Sequence, residues 1–219
     1  MIYSIAHNII SPLGFSADEN YAAVKSGKTE LTQFHSLFGL PEPFVGSIIN
    51  TEKLNNAFSE INSKNTRYTK FEQAAILSAH NALQQTGIDP TSEKVIVILS
   101  TTKGNVHLLE NIDGYEPERI HLWRSAQVIA QFFGNPNEPL VISNACISGA
   151  SAQITAKRLL ESKAYDYAIV IGADMLSKFV VSGFQSFKAL SPELCKPYDQ
   201  NRCGLNLGEA AATIIYGST

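Results

Sequence analysis

The segment from Leu140 to Gly172 constrains the fold more than any other part of the chain. A strand-like run, Leu140 to Ser143, meets a junction around Cys146, then a helical stretch from about Gly149 to Ser162 and a second strand-like run, Tyr167 to Gly172. Elements in this order imply a right-handed βαβ crossover, with the junction at the carboxyl end of the first strand. Ligands collect at that end of open α/β sheets.

The remaining segments continue the alternation. Ile2 to Ile10 is apolar and β-branched, and Ser16-Ala17-Asp18-Glu19 matches a capping box opening a helix through Lys25, which Gly27 ends. A longer helix is expected from Thr69 to Thr86, with Phe71, Ala75, Ala79 and Leu83 on one face. Val95 to Ser100 is polar on neither face, as a strand covered on both sides should be. Thr101 to Glu118 lacks periodicity and reads as a loop, Ser125 to Phe133 as a helix, and Ala210 to Tyr216 as a final strand. Pro41 to Pro43 and Ser59 to Asn65 read as connections. Together they predict an α/β domain with a largely parallel sheet.

Composition narrows the function classes. Hydrophobic residues at 44% and charged residues at 17% can build a real core. A net charge of −3 provides no general attraction to nucleic acid or anionic membranes, and no apolar run approaches the roughly 20 residues that span a bilayer. Three cysteines, an odd number, suit a reducing compartment, and the start shows no secretory pattern, so a cytoplasmic location is expected. Cys195 and Cys203 lack the tight spacing of a zinc site, and no metal is expected.

Cys146 is the candidate nucleophile. A thiol ahead of a helix start benefits from the positive end of the helix dipole, and unpaired amides of the first turn can face an oxyanion formed on sulfur attack. Ile147, Ser148 and Gly149 are therefore the candidate substrate-binding and oxyanion residues. A free cysteine is also often a small buried hydrophobe. The small residues Ser148 to Ala152 argue instead for close approach by a substrate or helix. The histidines are His7, His35, His80, His107 and His121, none of them after Cys146. That order, and the missing glycines on either side, disfavour a hydrolase nucleophile elbow.

These residues carry a resemblance. Asn144-Ala145-Cys146-Ile147-Ser148-Gly149 resembles the Thr-Ala-Cys-Ser/Thr-Ser-Gly nucleophile motif of the β-ketoacyl synthases. Pro197-Tyr198-Asp199-Gln200-Asn201-Arg202-Cys203-Gly204 and the following Leu205 to Ala211 resemble the elongating synthases' Pro-Phe-Asp-x-x-Arg-Asp-Gly-Phe-x-x-Gly-Glu-Gly-Ala, with Cys203 in place of Asp. Ser11-Pro12-Leu13-Gly14, Ile171-Gly172-Ala173-Asp174 and Phe187-Lys188-Ala189-Leu190-Ser191 follow the same family order.

The resemblance implies a thiolase-like fold, with residues 1–219 as its N-terminal α/β/α half around a mainly parallel mixed sheet. The second half of the family carries two catalytic histidines and a lysine. It further implies decarboxylative Claisen condensation of an acyl thioester with a malonyl thioester on acyl carrier protein, with Cys146 as acyl acceptor and no cofactor. Lys64, Arg67, Lys70 and Arg202 would meet the acidic carrier protein. A homodimer, or a heterodimer with another ketosynthase chain, is expected. Two other functions fit less well: a non-catalytic ketosynthase-like subunit, which has no need of Cys146, and a thiolase-like acyltransferase.

Overall fold

The computed structural model describes residues 1–63, 66–112 and 114–218. Five strands form the main sheet: β1 (Ile2–Ile10), β4 (Val95–Ser100), β5 (Leu140–Ile142), β6 (Tyr167–Asp174) and β8 (Ala210–Ser218), in the order β1-β8-β6-β4-β5. β4 pairs in parallel with both β5 and β6, while β8 runs antiparallel to β1 and β6. Four strands thus share one direction and β8 opposes them. β5 and β6 are not neighbours, because β4 lies between them, so the crossover spans one strand.

β4 is buried along its whole length, and its side chains divide by parity as a pleat requires. Val95, Val97 and Leu99 join one core cluster, Ile96 and Ile98 another. The first cluster packs under α3 (Lys70–Leu83) and α4 (Leu122–Phe132), the second under α5 (Ser148–Glu161). Helices therefore cover both faces. α3 buries far more than one stripe, from Phe71 through Leu83, and α2 (Thr51–Ser59) packs against it through Leu54 and Phe58.

Helix starts follow their capping chemistry, with one difference from expectation. Ser16 Oγ accepts the Glu19 N–H at 3.1 Å ahead of α1 (Ala17–Lys25), but the Glu19 carboxylate takes the Phe15 N–H at 2.5 Å instead of that of Ser16. The reciprocal box closes at α3, where Thr69 Oγ1 accepts the Glu72 N–H and Glu72 accepts the Thr69 N–H. α4 starts earlier than its apolar period suggested, at Leu122.

A second sheet joins β2 (Thr32–Phe34), β3 (Phe44–Ser47) and β7 (Leu207–Gly208). With α6 (Lys178–Ser186) it encloses a small core of Leu40, Phe44, Leu176 and Val181. Gly204 marks a close crossing of backbones. At φ +143 its Cα faces the 189–191 chain so tightly that a Cβ would lie 2.7 Å from the Ala189 carbonyl oxygen.

The loop between β4 and α4 contains 3₁₀ turns at Val106–Leu109 and Pro117–Ile120. It is anchored by buried polar contacts. Arg119 pairs with Glu72, and Asn105 Nδ2 donates to Glu72 Oε1 at 2.8 Å and to the Arg119 carbonyl at 3.0 Å.

Candidate active site

Cys146 is exposed, in the turn that joins β5 to α5. The turn is tight. Ile147 N–H bonds the Asn144 carbonyl and Ser148 N–H the Ala145 carbonyl, both at 3.2 Å. Ser148 is buried, and its Oγ contacts Asn144 N and the Ala145 oxygen, each at 2.7 Å. The first intrahelical bond of α5 runs from Ser151 N–H to Ile147 O at 2.9 Å. The Gly149 amide therefore lies in the open first turn. Apart from its chain neighbours and its own helix backbone, no atom of the described residues lies within 4 Å of where a Gly149 Cβ would sit.

The thiol borders a cleft of about 530 Å³ at the carboxyl ends of β4, β5 and β6. Met175, Leu176, Val180 and Phe184 form an apolar wall, with Lys103 and Asp174 as charged lining residues. Asp174 Oδ1 accepts Thr101 Oγ1–H at 2.8 Å and Thr102 N–H at 3.3 Å, joining the ends of β6 and β4. Burial pushes the Asp174 carboxyl up from its ordinary range, against the lowering effect of these bonds and of Lys103.

A neighbouring cavity of about 450 Å³ shares Met175 and Leu176 with the cleft and is lined by His107, Lys70 and Glu209. Desolvation lowers the pKa of His107, although Glu72, Glu110 and Glu209 oppose the shift. His121 stacks on Trp123 at 6.0 Å. Among the described residues lining the Cys146 cleft there is no histidine. No group of three or more His, Cys, Asp or Glu among the described residues is placed to hold a metal.

Lys70 is bonded to Glu209 at 2.5 Å, and the Arg67 guanidinium stacks over Tyr115 at 4.6 Å. Arg202 is exposed and its Nη1 donates to the Asp199 carbonyl at 3.0 Å. Lys64 lies outside the described residues. Cys203 donates to Glu193 Oε1 at 3.2 Å and does not line the cleft. The α6 wall of Val180 and Phe184 was not assigned from sequence, although Val180, Phe184 and Phe187 recur at helical spacing, the signal that could have found it.

The family model for the β-ketoacyl synthase N-terminal domain matches residues 2–216. The chain belongs to this family. No curated protein matches the sequence. A chain of the ketosynthase–chain length factor complex ApeO–ApeC from Xenorhabdus doucetiae superposes with a TM-score of 0.83 at 22% identity, covering 100% of this chain and 58% of that one. A β-ketoacyl synthase from Burkholderia phymatum gives 0.80 at 19% identity, covering 100% and 59%. A complex of a type II polyketide acyl carrier protein with its ketosynthase bound to a hexaketide gives 0.75 at 18%, covering 99% and 58%. The fold is thus thiolase-like, and the chain spans under two thirds of the length of these neighbours. Among the described residues, no helix of this β-ketoacyl synthase domain is long and apolar enough to cross a membrane.

Proposed function

We propose that this β-ketoacyl synthase domain accepts an acyl group on Cys146 from an acyl carrier protein thioester and holds it for decarboxylative condensation with a malonyl thioester. The observation that carries the reading is an exposed cysteine at a strand-to-helix turn, opening on a cleft with an apolar wall. In the first step Cys146 sulfur bonds the acyl carbon, the carbon–sulfur bond to the carrier breaks, and the thiol proton leaves on the carrier's sulfur. Gly149 N–H, in the open first turn, faces the carbonyl oxygen as charge develops, whereas the Ile147 and Ser148 amides, expected from sequence to share that role, are committed to the Asn144 and Ala145 carbonyls. Met175, Leu176, Val180 and Phe184 bury the acyl chain.

The condensation step draws on the histidines that the family places in its second half. Ile154 on α5 is 51% exposed and Ile147 58%, so the face of α5 beside the thiol is available for that half to cover. The carrier protein, as an acidic partner, meets Arg67 and Arg202 together with Lys64, while Lys70 adds positive charge from its place beside Glu209. A non-catalytic subunit is the weaker reading, since such a subunit needs no exposed thiol in an apolar cleft.

Incubation with an acyl carrier protein thioester, followed by peptide mass mapping, tests the reading. The expected result is one acyl adduct on Cys146, lost in Cys146→Ala. Acylation confined to Cys195 or Cys203, or no adduct at all, overturns it.

A further inference from the structure

We propose that Ser148 is the positioning residue of the nucleophile turn, its buried hydroxyl clamping the backbone that presents Cys146. This rests on the reading of Cys146 as nucleophile and adds what holds the thiol in place. The turn needs a clamp because Ala145, immediately before the cysteine, sits at φ +46. An L side chain is disfavoured in that region, where glycine is at ease. A residue other than glycine persists there only where its surroundings over-determine it.

Ser148 supplies that determination from both sides of Ala145. Its Oγ accepts the Asn144 N–H and donates to the Ala145 carbonyl, each at 2.7 Å, so the two bonds bracket the left-handed residue. A hydroxyl has a single proton to donate. With that proton on the Ala145 carbonyl, the Ser148 side chain has none for a substrate oxyanion, and its work is on the turn. The other two bonds across the turn, from the Ile147 and Ser148 amides, are both longer at 3.2 Å. Removing the hydroxyl leaves these longer bonds, with the 3.4 Å bond from Asn144 Nδ2 to Ser151 Oγ, to hold a disfavoured backbone.

The test compares the parent chain with Ser148→Ala, Ser148→Thr and the double variant Ala145→Gly/Ser148→Ala. Iodoacetamide labelling of Cys146 is measured against Cys203 as internal reference, together with hydrogen exchange of the Asn144 amide. Ser148→Ala should slow Cys146 labelling relative to Cys203 by about tenfold and raise Asn144 exchange by a similar factor, the scale of one lost hydrogen bond. A role in general stability leaves that ratio unchanged, because Cys146 and Cys203 are both exposed already and loosened structure speeds chiefly the half-buried Cys195. Glycine at 145 accepts the left-handed backbone without a clamp, so the double variant should recover to within about threefold of the parent. Ser148→Thr keeps the hydroxyl and should stay near the parent rate. Unchanged labelling and exchange in Ser148→Ala, or an equal loss in the double variant, overturns the proposal. Poor labelling of Cys146 in the parent, with Asn144 exchange still responding to Ser148→Ala, rejects the nucleophile and keeps the clamp.

Discussion

The Lys70 ammonium lies 2.5 Å from a carboxylate oxygen of Glu209, which is 4% exposed. The same carboxylate accepts the Ile49 N–H at 2.9 Å and the Leu176 N–H at 3.2 Å. One side chain thereby ties the start of α3, the end of the β3 segment and the backbone after β6 to the β7–β8 junction. Glu209→Ala leaves two buried amides and an ammonium without their acceptor. A loss of about 3–5 kcal/mol is expected from urea denaturation, the range for breaking a buried pair from one side. Lys70→Met should cost less, since both amides keep their bonds to the carboxylate. Equal and small losses in both variants would show that Glu209 is not the hub.

The Arg119–Glu72 pair makes a second, independent prediction. Glu72 is fully buried and is held by Arg119, Asn105 Nδ2 at 2.8 Å and Thr69 N–H at 3.0 Å. Arg119→Leu strands the carboxylate, with an expected loss of about 3 kcal/mol or more. Because Arg119 belongs to the β4–α4 loop, proteolysis should then cut first within residues 101–121. A protease pattern identical to the parent, despite lowered stability, would separate the ion pair from the anchoring of that loop.

Sequence pattern reached some of this architecture and not the rest, for physical reasons. β4 carries its signal locally, in an apolar run buried along its whole length, whereas β1 is mixed, with Tyr3 and Ile5 exposed and Asn8 buried. The 207–208 strand holds no such signal. It is set by parallel pairing of Gly46 with Leu207, far apart in the chain, and by Glu209 reaching Ile49 across 160 positions. α2 was hidden by its polar residues, since Leu54 and Phe58 are its buried anchors. The cysteine turn was legible from its motif. The left-handed Ala145 and the double use of Ser148 Oγ were not, because neither leaves a trace in residue type alone.

Two groups beside the cavities give opposite pH responses. The folded pKa of Asp174 is raised by burial, so its contribution to stability is full below its unfolded value and is lost as pH rises through the folded one. Asp174→Asn keeps an acceptor for Thr101 and Thr102 and removes the charge. It should raise the urea midpoint at about pH 7.5, with a smaller gain at about pH 4. His107 is lowered by desolvation, so its contribution is full above the unfolded value of 6.5 and is lost as pH falls towards the folded one. His107→Gln should flatten the decline in stability between about pH 7 and pH 5. Superimposable pH curves for parent and variant would reject either assignment.

The last prediction concerns the sheet edge nearest the cysteine. Among the described residues β5 pairs with β4 alone, and it is half-buried along its length rather than enclosed. Thr101 N–H bonds the Ile142 carbonyl at 3.3 Å, so Ile142 faces β4 and its neighbour Val141 turns its N–H and C=O outward. An open edge of apolar residues is a template for a second copy of the same strand. Self-association across a two-fold axis is the expected outcome, with well over about 1,000 Å² buried. Val141→Pro is the discriminating change. Proline removes an N–H that the monomer leaves unpaired at the edge, and edge strands tolerate it. Light scattering should show a dimer for the parent at tens of micromolar and a folded monomer for the variant, with unchanged far-ultraviolet circular dichroism. A parent that stays monomeric, or a variant that dimerises as well as the parent, would place the contact elsewhere than β5.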